Sequence, residues 1–268
     1  MTKFKQTMQE FKKSKRSSVT VFVILRALII VCAVMQAIRG NFHGTFLCLF
    51  ALVLLVIPVF LPKILKIALP NTLEIIIFLF IFSAQILGEI YNFYGNIPHW
   101  DTMLHTINGF LCAGIGFALV DLLNKNSKSI KLSPLYISLV AFCFSMTVGV
   151  CWEFLEHSLD RLFLLDTQKD TLVTTISTVY LDPLQDNNAV IIKDIAETVL
   201  YDADGNVLTA IEGGYLDIGI YDTMKDLFVN FIGAVVFSVL GFFYVKNREK
   251  FKFSEHFIPE RAGETPRE

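Results

Sequence analysis

Six apolar blocks, each about as long as a bilayer is thick, limit what this chain can become. They cover residues 19–39, 44–61, 72–91, 102–123, 134–157 and 225–245. At ~1.5 Å of rise per residue, about 20 residues cross the roughly 30 Å hydrocarbon core. A lipid-facing segment must satisfy its own backbone hydrogen bonds, and the blocks lack the two-residue alternation of barrel strands, so each predicts a helix. Composition agrees, since 54% of the 268 residues are hydrophobic, 25 are Phe and 18% are charged. The expected fold class is therefore an all-α polytopic membrane protein with about six transmembrane helices. The five cysteines, Cys32, Cys48, Cys112, Cys143 and Cys151, fall inside the blocks without metal-finger spacing and read as small buried hydrophobes.

Basic residues stay on the cytoplasmic side of a membrane, which orients the helices. Lys3, Lys5, Lys12, Lys13, Lys15 and Arg16 precede the first helix, Lys63 and Lys66 follow the second, and Lys125, Lys128 and Lys131 follow the fourth. Lys246, Arg248, Lys250, Lys252, Arg261 and Arg267 follow the sixth, whereas the opposite side carries chiefly Arg39, Arg161, Lys169, Lys193 and Lys225. Both termini are thus expected to be cytoplasmic. The expected organisation is a basic cytoplasmic tail at 1–18, helices one to five at 19–164, an extracytoplasmic β-rich insertion at 165–221, helix six at 222–245 and a cytoplasmic tail at 246–268. The first tail leads into a full-length apolar run without an evident small-residue cleavage site, which predicts a retained anchor. The net charge of −2 hides basic tails and an acidic outer segment. That basic bias is a topology signal beside anionic lipid and does not point to nucleic acid.

In the insertion, Glu197–Tyr201 and Val207–Ile211 flank Asp202-Ala203-Asp204-Gly205-Asn206, a hairpin pattern. The five turn residues resemble the start of a calcium loop but lack its later ligands.

An ionisable group inside a membrane costs roughly 2.5–3.5 kcal/mol, so a recurring set calls for a function. Four helix ends carry one: Glu89 on helix three; Asp101 and His105, four residues apart, with Asn108 on helix four; Glu153, Glu156, His157 and Asp160 on helix five; and Asp222, Asp226 and Asn230, followed by Gly233 and Ala234, on helix six. All four ends fall on the outer side of the topology drawn from the basic residues alone. So many carboxylates in a poorly hydrated place require a metal, raised pKa values or a cationic ligand. Glu74 and Asp121 lie at inner helix ends, where solvation is sufficient explanation.

Three segments together, Gly88-Glu89-Ile90-Tyr91 with His99 to His105, Trp152 to Glu156, and Asp222 to Ala234, resemble the YjdF-like family of bacterial membrane proteins and more distantly the VanZ-like proteins. Asp101 and His105 look like the Asp/His pair of the latter, Glu153 and Glu156 like their Glu-x-x-Gln, and Asp226, Asn230 and Gly233 like their last stripe. The resemblance implies a multi-pass protein of the bacterial cell membrane with a site at these positions.

The leading expectation is a polar site near the outer face that binds or transports a cation or small solute. The alternative is a membrane-embedded enzyme acting on an envelope lipid or lipid-linked precursor, with a divalent metal held by some of His105, Glu153, Glu156 and His157. No P-loop, dinucleotide fingerprint or His-Glu-x-x-His helix supports a specific reaction. A third expectation is an envelope interaction protein whose acidic insertion is the working part. The implied partners are the lipid bilayer and either an envelope lipid or a small solute.

Overall fold

The computed structural model describes residues 3–65, 67–126, 131–251, 256–258 and 260–261. Of the basic residues that orient the chain, Lys66, Lys128, Lys252 and Arg267 lie outside them, as do the side chains of Lys3, Lys5, Lys12, Lys13, Lys15, Arg16, Lys63, Lys125 and Arg261. The elements in order are α1 (Lys3–Ile38), α2 (Phe42–Leu54), α3 (Ile57–Leu65), β1 (Ile67–Ala68), α4 (Asn71–Phe82), a π-helical segment (Ser83–Ile90), α5 (Phe93–Asn96), α6 (Trp100–Asn126) and α7 (Pro134–Phe163). They continue with β2 (Leu172–Val173), β3 (Ile176–Thr178), β4 (Val190–Ile192), β5 (Glu197–Tyr201), β6 (Val207–Glu212), β7 (Tyr215–Leu216), α8 (Ile220–Lys246) and β8 (Glu260–Arg261).

Six stretches among the described residues are long and apolar enough to cross a membrane: Ser17–Ile38, Phe42–Phe60, Asn71–Ile90, Trp100–Asn124, Pro134–Phe163 and Ile220–Lys246. The protein is mostly helical, with a small sheet-containing region between the fifth and sixth spans, as the hydropathy pattern predicts. Two spans are less regular than that pattern suggests. The second breaks after Leu54, because Pro58 has no N–H to donate to the Leu54 carbonyl and its ring crowds that carbonyl. In the third, α4 passes into the π-helical segment, where the Tyr91 N–H donates to the Ile86 carbonyl over 3.1 Å. There Gly88 lies so close under the Tyr94 ring that a Cβ would strike it.

The chain divides into two compact units, Met1–Gly149 with Asp226–Glu268, and Val150–Lys225. The first holds two cores. One packs Leu25, Ile29 and Cys32 of α1 against Cys48 and Ala51 of α2 and Phe78 of α4. The other packs Ala113 and Phe117 of α6 with Ile137 and Ala141 of α7 and Ala234, Phe237 and Tyr244 of α8.

Glu74 and Asp121 are not simply solvated, in contrast to the expectation from their positions. The Ser18 hydroxyl donates to Glu74 Oε2 at 2.6 Å, and Arg248 Nη2 lies 2.9 Å from Asp121 Oδ1. The cysteines also divide: Cys32, Cys48 and Cys112 are buried, whereas Cys143 and Cys151 are exposed on α7. Beyond α8, Ile258 lies in the second core and β8 pairs antiparallel with β1.

In the second unit, β2 pairs with β7, β3 with β4 and β5 with β6, all antiparallel. The β5–β6 hairpin matches the expected one. Its Asp202 accepts the N–H groups of Asp204 at 3.0 Å and Asn206 at 2.8 Å and the Asn206 side-chain amide at 3.0 Å. The carboxylate thus serves the turn itself, which explains its resemblance to an ion loop.

Candidate functional site

The site is built on the seam between α6 and α8, within the first unit. These are the fourth and sixth spans and run in the same direction, so side chains meet in order along both. A Cβ on Gly109 would strike the Asn230 carbonyl oxygen, and a Cβ on Gly233 would strike the Thr106 carbonyl oxygen. Glycine at these two positions lets the backbones touch, the usual device for helices in lipid, where burial of apolar surface gives no drive to associate. Further along, Gly114 lies against the Phe237 ring and Gly241 against the Phe117 ring. The positions used on α8, namely 226, 230, 233 and 237, step by four and three residues and therefore stay on one face.

At the start of this seam, Asp101 and His105 come from one face of α6, and Asp226 comes from α8. His105 Nε2 lies 3.4 Å from Asp101 Oδ1 and 3.6 Å from Asp226 Oδ2, and one ligating atom from each residue lies within 4.8 Å of the other two. The spacing is longer than a good hydrogen bond. It is close to the ~3.0–3.5 Å expected between two ligands on one ion with bonds of about 2.0–2.2 Å. Asp226 is 3% exposed, and Asp101 and His105 are half-buried. Asp101 sits in the first turn of α6, where the helix dipole favours a negative charge. Two carboxylate oxygens and an imidazole nitrogen converging in this way suit a divalent cation or a shared proton.

An amide layer lies next along the seam. Asn108 Nδ2 donates to Asn230 Oδ1 at 3.4 Å, Asn230 Nδ2 faces Met146 Sδ at 3.7 Å, and Ser145 donates to the Gly109 carbonyl at 2.7 Å. Asn230 is 1% exposed, and a Cβ on Gly149 would meet its side-chain nitrogen at 2.7 Å. Its orientation is therefore fixed, one helical turn beyond Asp226.

The other candidate residues are used differently. Glu89 is exposed on the π-helical segment. Glu153, Glu156, His157 and Asp160 belong to the second unit, where Glu153 is buried, Glu156 and Asp160 are half-buried and His157 is exposed.

These acids hold a strap of chain that follows α7. Asp160 accepts the Thr167 N–H at 2.7 Å, its hydroxyl at 2.6 Å and the Gln168 N–H at 2.9 Å. The Thr167 hydroxyl also donates to the Glu156 carbonyl at 3.1 Å. Gln168 Nε2 reaches Glu153 Oε2 at 3.5 Å and Thr223 Oγ1 at 2.5 Å. Asp222 accepts the Lys169 N–H at 2.9 Å and lies 3.3 Å from Lys225 Nζ. Gly219 adopts φ +80° with its Cα pressed on Gln168, a place where any side chain would be both strained and crowded.

Of the four residues expected as metal ligands, only His105 is in the three-residue group found among the described residues; Asp101 and Asp226 supply the rest. Backbone N–H groups of the strap engage Asp160 of helix five and Asp222 of helix six. The informative signal was the recurrence of matched steps on α6 and α8. Gln168 and Thr223 carried no signal, because their role depends on the path of the strap.

Outside the spans, several acids titrate away from ordinary values. Asp182 and Asp202 are lowered, chiefly by the Asn188 N–H and by the Asn206 side-chain amide respectively. At Asp217 partial burial opposes, but the N–H groups of Thr171, Tyr221 and Gly219 prevail and lower it. Asp170 is raised, by burial first and then by Asp166 and Asp217.

The profile of the family described as "Predicted membrane protein (DUF2238)" matches residues 19–247, and the chain belongs to that family. A protein of Thermotoga maritima named "Uncharacterized protein" is 29% identical over 112 residues, which are 40% of this chain and 56% of the relative. The chain thus spans a little over half the length of that relative. No solved structure matches.

Proposed function

We propose that this family member binds a divalent metal cation at Asp101, His105 and Asp226, as the basis for cation binding or transport. The observation that carries the reading is the convergence of three ligating atoms within 4.8 Å, from two helices locked together by glycine, with Asp226 buried. One imidazole with two carboxylates suits a first-row ion such as zinc or manganese better than calcium. Asn108 and Asn230 form a fixed polar floor, and Glu153, Glu156, Asp160 and Asp222 act as scaffold. Metal analysis of the purified protein tests this directly. Stoichiometric metal in the parent, lost in Asp226→Asn and in His105→Ala, is expected; metal retained in both variants would refute it.

Three protein ligands would also leave positions for water or substrate, as in catalytic metal sites, which favours an envelope-lipid enzyme as the second reading. Metal-dependent turnover of a phospholipid or lipid-linked phosphate by the reconstituted protein, abolished in Asp226→Asn, would move the assignment there.

The proposed setting is the bacterial inner membrane, with both termini inside, the β-rich insertion outside and the cluster at the outer end. Support comes from the Lys and Arg distribution. Asn206→Cys should react with an impermeant thiol reagent in intact cells, and protection would reverse the orientation. Kinship with the YjdF-like and, more distantly, VanZ-like proteins belongs to the same proposal, supported by Asp101, His105, Asp226, Asn230 and Gly233 sharing one seam.

A further inference from the structure

We infer that the C-terminal segment around Phe257 and Ile258 is a plug that closes the α6–α8 seam from the side opposite the Asp101–His105–Asp226 cluster. After α8 ends at Lys246, Arg248 pairs with Asp121 at 2.9 Å and stacks over the Tyr244 ring at 5.0 Å, while Phe251 stacks on Phe243 at 5.4 Å. The Phe257 ring centroid lies 5.7 Å from that of Phe110, which is itself 5.0 Å from Phe237. Ile258 is 2% exposed among Ala113, Phe117, Ile137 and Phe237, and Glu260–Arg261 pairs with Ile67–Ala68 ahead of α4.

Depth gives these contacts their meaning. Along α6, Asp121 lies about 16 Å beyond Phe110 and His105 only about 7.5 Å before it, at ~1.5 Å per residue. Phe257 therefore sits well inside the level of the Arg248 pair, beside Phe110, two residues along α6 from Asn108 of the amide layer. Three elements meet it there: α6, α8 and the early half of α7, all contributing small or aromatic side chains. Such a seal leaves the cluster to be reached from its own side, and removing it uncovers the other side only as far as Cys112, short of the Gly109 and Gly233 backbone contacts. For a cation-binding protein this is a seal carried by the chain itself, on the far side of the helix contact from the cluster. That significance rests on the proposed binding site, but the plug can be measured without it.

Cys112 is a native reporter between the two regions, since it is buried and its Sγ lies 3.5 Å from Asn108 Oδ1. Cys48 is a control, fully buried in the other core. Single-cysteine versions of the full chain, retaining either Cys112 or Cys48 with the other four replaced by Ala, would be reacted with a small cationic methanethiosulfonate. Phe257→Ala/Ile258→Ala should raise the Cys112 rate at least tenfold and leave Cys48 unchanged. A deletion after Phe251 should do the same, and the double substitution stands alone if the deletion fails to fold. Unchanged Cys112, or equal acceleration at Cys48, would overturn the plug. Because no metal enters this measurement, its result is independent of the metal analysis.

Discussion

The α6–α8 seam buries an aspartate near each end, and the two are met by different chemistry. Asp121, 2% exposed, faces the Arg248 guanidinium at 2.9 Å, itself stacked on Tyr244. A guanidinium never deprotonates in this range and donates hydrogen bonds without being able to ligate, so this pair is a closed contact. Asp226, 3% exposed, meets His105, whose imidazole can ligate, together with a second carboxylate from Asp101. Burial of an acid therefore does not distinguish scaffold from site. The distinguishing feature is whether the groups around it can be exchanged for an ion. The strap follows the closed pattern, since Asp160 is engaged by the N–H groups of Thr167 and Gln168.

The most damaging change removes the comparison altogether. Gly109→Leu or Gly233→Leu puts a side chain into a backbone carbonyl that cannot move aside, so the helices must separate beside the cluster. Overpacking typically costs ~1–3 kcal/mol, and contact with backbone puts this case at the top of that range or above. Thermal unfolding in detergent should show a large loss of stability together with loss of metal. Wild-type metal content in Gly233→Leu would show that the seam does not form the site.

Next in size is Arg248→Ala, which leaves Asp121 buried without its guanidinium. Breaking a buried pair costs about 3–5 kcal/mol, and the partly exposed Arg248 places this one at the low end. Asp121→Asn/Arg248→Gln should recover most of that stability, because a neutral pair removes the buried charge together with its guanidinium. Neither variant should change metal stoichiometry. If either did, the two ends of the seam would be coupled and not separate in function. Asp226→Asn should behave in the opposite way, losing at least tenfold in metal affinity while unfolding within ~1 kcal/mol of the parent. Titration with zinc and thermal unfolding of the same samples measure both quantities.

The sequence carried the architecture well, because bilayer thickness leaves little choice of element and Asp101, His105, Asp226 and Asn230 keep helical steps that survive packing. It carried the pairing of Asp121 with Arg248 poorly. Those residues are 127 positions apart, and only the parallel register of α6 and α8 brings them together. The contact of Phe257 with Phe110 was hidden for a related reason: nothing in a short segment after a basic helix end says which part of the bundle it meets. The π-helical segment at Ser83–Ile90 was equally hidden, since it reflects a local shift of hydrogen bonds in an apolar run that would otherwise continue as α-helix.

The smallest expected effect separates the two kinds of acid by pH. Asp182, Asp202 and Asp217 are held below the ordinary aspartate range by donors from their own loops. A lowered folded-state pKa stabilises above the unfolded value of about 3.9 and loses that contribution only as pH falls through the still lower folded value. Asp170, raised by burial and neighbouring acids, works in the other direction and partly offsets the loss. The insertion should therefore keep its hairpins down to about pH 4. Metal at the cluster should leave at higher pH, because its ligands must be deprotonated to bind. Amide exchange across Asp202–Asn206, followed alongside bound metal during acid titration, would show metal release first and hairpin opening last. Simultaneous loss would mean that the closed acids and the open cluster respond as one unit, and the distinction between them would not hold.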